Sequence, residues 1–217
     1  MMRLRLGIVV ACVLVLASAP ALAAIQSTVI GTGAPPASLG GIPMTPFAAD
    51  GRATGVTYTT VPAPIGGDLT FDEALTHATV GGLWATWSNG YTGDVYYTLG
   101  ATNPDNVTIT LPANTGAFYL YVEGNPAGTY SFTVTSGAAT QTFNVDSSGG
   151  AIGVGFWDDA GGTLTSVAVS SSVDFAVGEF GIAGPLQPIP ALGMMGLVIL
   201  ALALGLAGIW ASRRLIA

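Results

Sequence analysis

"NVTITLP" at residues 106–112 sets the fold class. Val107, Ile109 and Leu111 fall on one side of an extended chain and Thr108 and Thr110 on the other, the period-two alternation of a strand with one buried face. The pattern recurs in "TYSFTVT" (129–135), through Tyr130, Phe132 and Val134, and in "AIGVGFW" (151–157), through Ile152, Val154 and Phe156. Outward from these, further strands are expected at 56–61, 83–88, 94–99, 117–123, 140–145, 164–170 and 175–182. Turn signals separate them, among them Asn89-Gly90, Gly124-Asn125-Pro126 and Ser148-Gly149-Gly150. No stretch of the body carries a helical period, and no repeat of fixed length is present. Many short strands, frequent turns and no intervening helices predict an all-β fold, an antiparallel jelly-roll-like β-sandwich.

The sandwich is expected over residues 48–184. Residues 24–47, with "GTGAPPASLGGIPMTPF" at their centre, read as an extended Gly/Pro-rich lead-in. Between the two ends of the chain lie about 160 residues, the size of one domain with its own core.

The N-terminus differs in composition. Arg3 and Arg5 precede an apolar run from Leu6 to Leu16 and a small-residue exit at Ala21-Leu22-Ala23, the three-part form of a secretory signal peptide over residues 1–23. Cys12, the single cysteine, follows "VVA", but lipidation there would leave an apolar region of about six residues, short of the usual ~7–15. If Cys12 leaves with the signal, the mature chain has no thiol, which excludes disulfides, cysteine-ligated zinc and a cysteine nucleophile.

Charge is just as uneven. All five basic residues are arginines, and Arg3, Arg5, Arg213 and Arg214 sit at the ends. Arg52 alone faces the twelve acids of the body, a net charge of −11. With no cationic patch to replace phosphate counterions, the body is expected to repel nucleic acid and anionic membrane surfaces.

Near the C-terminus, residues 185–191 form a linker and Leu192 to Ala211 is a stretch of 20 residues without a charge. As a helix it would measure about 30 Å at ~1.5 Å per residue, the thickness of a bilayer's hydrocarbon core. Arg213 and Arg214, in the basic tail 212–217, follow at once, and the positive-inside rule then places the C-terminus in the cytoplasm and the acidic body outside.

Ile189, Pro190, Leu192 and Gly196 ahead of or opening that apolar stretch, with Arg213 and Arg214 behind it, resemble the PEP-CTERM class of bacterial sorting tails. The layout is most similar to the IPTL-CTERM branch, whose signature runs Ile-Pro-Thr-Leu-x-x-Trp-Gly. Ala191 replaces its Thr and Met195 its Trp. The resemblance covers residues 188–217 and implies an exosortase-type membrane transpeptidase as partner. It also implies a single-pass intermediate in the bacterial inner membrane, with the body passed on to the cell envelope or extracellular matrix. The alternative is a permanent single-span anchor. "GGLWATWSNGYTGDVYYTLG", "LPANTGAFYLYVEGN" and "FAVGEFGIAG" resemble pieces of β-sandwich ectodomains found ahead of such tails, a likeness that bears on fold and brings no activity with it.

Candidate chemistry in the body is sparse. His77 is the only histidine and no G-x-S-x-G occurs, which argues against a Ser-His-Asp triad and against zinc catalysis; an ordinary strand-end or turn histidine is the simpler reading. Glu123 and Glu179 lie in apolar strands where burial could tune a pair of carboxyls for glycoside hydrolysis. The competing reading has Glu123 ending its strand in solvent and Glu179 accepting hydrogen bonds from a loop. Asp68, Asp72, Glu73, Asp158, Asp159 and Asp174 are turn-proximal acids of the kind that hold Ca²⁺ in sandwich loops, though no EF-hand spacing exists. No other cofactor is expected. Trp84, Trp87, Tyr91, Tyr119 and Tyr121 are candidate glycan contacts, for example with an exopolysaccharide, since flat rings with a polar edge suit sugar faces. They serve equally as sheet packing. The expectation is a non-enzymatic structural or adhesive protein, with a carbohydrate-binding module as the alternative.

Overall fold

A computed structural model describes residues 24–100 and 105–186, together with residues 196, 199 and 201–204, which are helical. Fourteen strands are assigned among the described residues. They are β1 (Ile25–Gly31), β2 (Ser38–Leu39), β3 (Ile42–Pro43), β4 (Thr45–Pro46), β5 (Thr57–Pro62), β6 (Asp68–Thr79) and β7 (Asp94–Tyr97). The remainder are β8 (Asp105–Thr115), β9 (Ala117–Asn125), β10 (Thr129–Ser136), β11 (Ala139–Asp146), β12 (Ile152–Asp158), β13 (Leu164–Ser171) and β14 (Asp174–Ala183).

Pairing is antiparallel in every ladder, and hydrogen bonds run through the order β1-β12-β9-β14-β7-β6-β8-β13-β10-β11. β4 adds to β14, β5 adds to β6, and β2 and β3 pair with each other. β6 is the joint of this path. Thr70 and Phe71 pair with Thr110 and Ile109 of β8, whereas Thr76 to Thr79 pair with Tyr97 to Asp94 of β7. Between those halves the register against β5 slips, from Thr60↔Thr70 to Tyr58↔Leu75, so Asp72, Glu73 and Ala74 bulge outward and are exposed.

Both halves of the path supply one core. Ile109, Leu120, Phe132, Val154, Val169 and Phe175 are fully buried within it, each apolar side chain contributing about 1.5–3 kcal/mol relative to exposure. Phe132 of β10 meets Phe175 of β14 edge to face at 5.6 Å, joining strands far apart in the hydrogen-bonded order. At the ends of that order, Gln141 Nε2 of β11 donates to Ser27 Oγ of β1 at 2.9 Å.

Around β9 and β14 the sheet is covered on its second face as well. Phe118 and Leu120 point into the main core, and Tyr119 and Tyr121, buried on the opposite side, pack with Leu39 and Ile42 of β2 and β3. Glycines make room for those rings. A Cβ at Gly181 would lie 2.2 Å from the Tyr119 ring, and one at Gly153 would lie 2.5 Å from that of Tyr121. These contacts account for Gly153 in "AIGVGFW" and Gly181 in "GEFGIA", whereas a Cβ at Gly155 or Gly178 would meet Leu39 or Val95.

Three expectations are corrected. Residues 83–88 are not a strand: the segment is turn-rich and carries one isolated bridge, Val80 with Trp84. The expected lead-in is not outside the domain, because Ile25–Gly31 pairs with β12. β6 is a 12-residue strand that went unrecognised because its bulge breaks the alternation of "DLTFDEALTHAT". The signal segment 1–23 and the signature residues Ile189, Pro190, Leu192, Arg213 and Arg214 lie outside the described residues. So does most of 192–211, of which Gly196 is one of the helical positions. Among the described residues no helix is long and apolar enough to cross a membrane.

Candidate functional site

The loop joining β6 to β7, "VGGLWATWSNGYTG" at 80–93, lies over the outer face of β9 and β14 and is tied to it by two buried carboxylates. Trp84 Nε1 donates to Glu123 Oε2 at 3.2 Å, and Thr86 Oγ1 makes a short hydrogen bond to Glu123 Oε1. Trp87 Nε1 and Asn89 Nδ2 both donate to Glu179 Oε2, at 3.0 and 3.1 Å. Glu123 is 2% exposed and Glu179 8%. Burial pushes both carboxyls above the usual carboxylate range, and the indole, hydroxyl and amide donors pull part of the way back.

Glu179 reaches this face through an irregularity in β14. Phe175 and Val177 point into the core, and so do Phe180 and Ile182, so the alternation changes parity between them. The register against β9 slips between Gly178 and Gly181, and Glu179 has φ of 48°. Without the extra residue the alternation would aim a carboxylate into the apolar core. A left-handed conformation at a residue with a Cβ costs on the order of 1–3 kcal/mol, and it is held by the bonds to Trp87 and Asn89.

Beside Glu123 the loop leaves a cavity of about 610 Å³, lined by Leu83, Trp84, Tyr97, Glu123, Asn125 and Ser147 among others. Leu83 is 57% exposed at its edge. The candidate rings are disposed differently from a stacking platform. Trp84, Tyr119 and Tyr121 are buried, and the Tyr121 hydroxyl donates to Gly33 O at 2.6 Å. Trp87 and Tyr91 are half-buried, with ring centres 6.2 Å apart.

His77 is fully buried and lies two residues before the end of β6, near the strand end and not in a turn. Its Nε2 lies 2.8 Å from Asp94 Oδ1 and its Nδ1 3.2 Å from Ala53 O, and the ring stacks on Tyr96 at 5.2 Å. Asp94 Oδ2 in turn accepts from Asp50 N at 2.7 Å. Asp50 pairs with Arg52 at 2.6 Å and accepts from the Tyr96 hydroxyl at 2.6 Å. The Arg52 guanidinium holds the Asp50 carboxyl well below the usual range, against the opposing effect of burial. His77 thus anchors residues 50–53 to the sheet. No known family model, curated protein or solved structure matches the chain.

The acids expected to gather around Ca²⁺ are dispersed. Asp72 Oδ1 accepts from Thr108 N at 2.8 Å, and Asp158 Oδ1 closes a turn by accepting from Ala160 N and Gly162 N. Asp159 accepts from Ala24 N and Gln26 Nε2, Asp174 from Gly100 N, and Asp68 is exposed at the start of β6. Among the described residues no three His, Cys, Asp or Glu side chains converge to hold a metal. Glu123 is also corrected: it is enclosed, not solvent-facing. For Glu179 the loop hydrogen bonds expected in one reading are present. As arranged, the two glutamates fasten a loop, since their oxygens accept from the loop's own donors. Asp105, buried at the start of β8, escaped notice because the strand alternation alone marks its side of β8 as inward.

Proposed function

We propose that this chain is an exported protein of the cell envelope or extracellular matrix, non-catalytic, with a structural or adhesive role. The observation that carries this is the engagement of Glu123 and Glu179, the acids best placed for hydrolytic chemistry, by Trp84, Thr86, Trp87 and Asn89. A general acid needs a proton free to reach the substrate's leaving group; here, although Glu123 lines the 610 Å³ cavity, both its oxygens and Glu179 Oε2 are engaged by the loop's own donors. Export and delivery rest on the signal-like start, the uncharged 192–211 stretch and the resemblance of the tail to exosortase substrates.

We read the fold as a jelly-roll-like β-sandwich. From β7 onward consecutive strands alternate between two runs, β7-β14-β9-β12 and β8-β13-β10-β11, apart from the β10–β11 hairpin, which stays within one run, an interleaving of the kind that Greek keys produce. The shared core and the Phe132–Phe175 contact support placing those runs face to face.

Glu123→Gln and Glu179→Gln in the full chain are expected to leave surface delivery intact, and neither the parent nor the variants should hydrolyse glycosides or esters. Turnover lost in either variant would overturn the reading. The carbohydrate-binding alternative draws on the 610 Å³ cavity and on the half-buried Trp87 and Tyr91. Saturable retention on the producing cell's exopolysaccharide, lost in Trp87→Ala with the fold retained, would favour it.

A further inference from the structure

Asp105 opens β8 with 7% of its surface exposed, and its Oδ2 is the one buried side-chain nitrogen or oxygen among the described residues without a hydrogen-bond partner. A buried carboxylate oxygen left unpaired costs on the order of 1–3 kcal/mol or more, and orphans of this kind in native proteins call for a bound water or ion. Asp105 lines a cavity of about 430 Å³ together with Thr57, Glu73, Thr76, Thr98 and Gly100. Glu73 projects there from the bulge of β6, crowded by Asp105 and Asp72. No internal counterion serves this group: the body's two basic side chains are committed elsewhere, Arg52 to Asp50 and His77 to Asp94.

The donors lining the cavity are oxygens, with no imidazole or thiol among them. That set suits a hard cation and is unsuited to zinc or copper. We infer that this cavity, where β5, β6 and β8 meet residues 98–100, binds Ca²⁺ through the Asp105 and Glu73 carboxylates, with hydroxyl, carbonyl and water oxygens completing the shell. Two carboxylates give a site of the weak extracellular kind, with a dissociation constant on the order of 10⁻⁴–10⁻³ M. The inference is independent of whether the chain is adhesive.

Thermal melts of the EDTA-treated full-length chain test it. Saturating CaCl₂ is expected to raise the melting temperature by about 3–6 °C over NaCl of equal ionic strength. Asp105→Asn should abolish that rise while raising the melting temperature without Ca²⁺, because the orphan charge is gone. Asp68→Asn, at an exposed acid outside the cavity, should keep the rise. Tb³⁺ luminescence displaced by Ca²⁺ in the parent and lost in Glu73→Gln gives a second readout should Asp105→Asn fail to fold. A melting temperature indifferent to Ca²⁺, or an equal rise in Asp105→Asn, overturns the site.

Discussion

Glu123 and Glu179 carry a pH signature whose sign follows from their surroundings. Burial lifts both carboxyls in the folded chain, whereas in the unfolded chain they titrate near pH 4.3. The folded state therefore binds protons more tightly, and stability falls as pH rises from about 4.3 through the folded values. Asp50 acts in the opposite direction: its carboxyl is lowered by Arg52, so its contribution is present above its unfolded value of about 3.9 and is lost at stronger acid. Urea unfolding across this range should show greatest stability in mild acid, and Glu123→Gln should flatten the decline toward neutrality. A parent whose stability increases from mild acid to neutrality would contradict the assignment. The apolar strands around these glutamates left two readings open, and for Glu123 the solvent-facing one is the one overturned. Their partners were not legible, because an indole donor 39 residues away from Glu123 is brought there only by the loop's path. His77 was invisible for a related reason: its partners Ala53 and Asp94 come from other segments.

Strands with clean alternation were readable as strands, and β8, β10 and β12 contain the residues that define them. β6 shows what defeats that reading, while β14, expected at 175–182, shows a strand whose facing changes part-way along it. In β6 a bulge between Thr70 and Leu75 turns Glu73 outward between the buried Phe71 and Leu75, and in β14 a bulge between Gly178 and Gly181 shifts the parity of the inward face. In β14 the signal was present, as apolar residues at 175 and 177 followed by 180 and 182. The aromatic segment 83–88 had strand-like composition but became a loop, because its indoles hydrogen-bond to carboxylates of β9 and β14 while its backbone turns. Tyr119 and Tyr121 looked equally suited to a sugar or a covered face, and glycines opposite their rings decide for the covered face. Gly181→Ala is therefore expected to destabilise the fold by about 1–3 kcal/mol through overpacking against Tyr119. Tyr119→Leu should recover part of that loss in a double-mutant cycle. Additive effects would mean that the ring and the glycine are not coupled.

At the scale of the molecule, an acidic all-β body carries its single arginine in an ion pair with Asp50 and its single histidine hydrogen-bonded to Asp94, leaving its exposed charge almost wholly negative. That distribution suits a domain kept apart from anionic lipid and nucleic acid, and in the proposed reading the arginines at the two ends of the chain serve export and delivery. The all-β class was legible from period two alone, whereas the strand order was not, because it depends on long-range pairing such as β9 with β14. The central claim is that the body is exported and released from its tail. Intact mass of the surface-located protein tests it most directly. The account predicts a chain beginning near Ala24 and ending near residue 190, lacking Arg3, Arg5, Arg213 and Arg214; a surface form that retains Arg213 and Arg214 would contradict release and leave a permanent anchor.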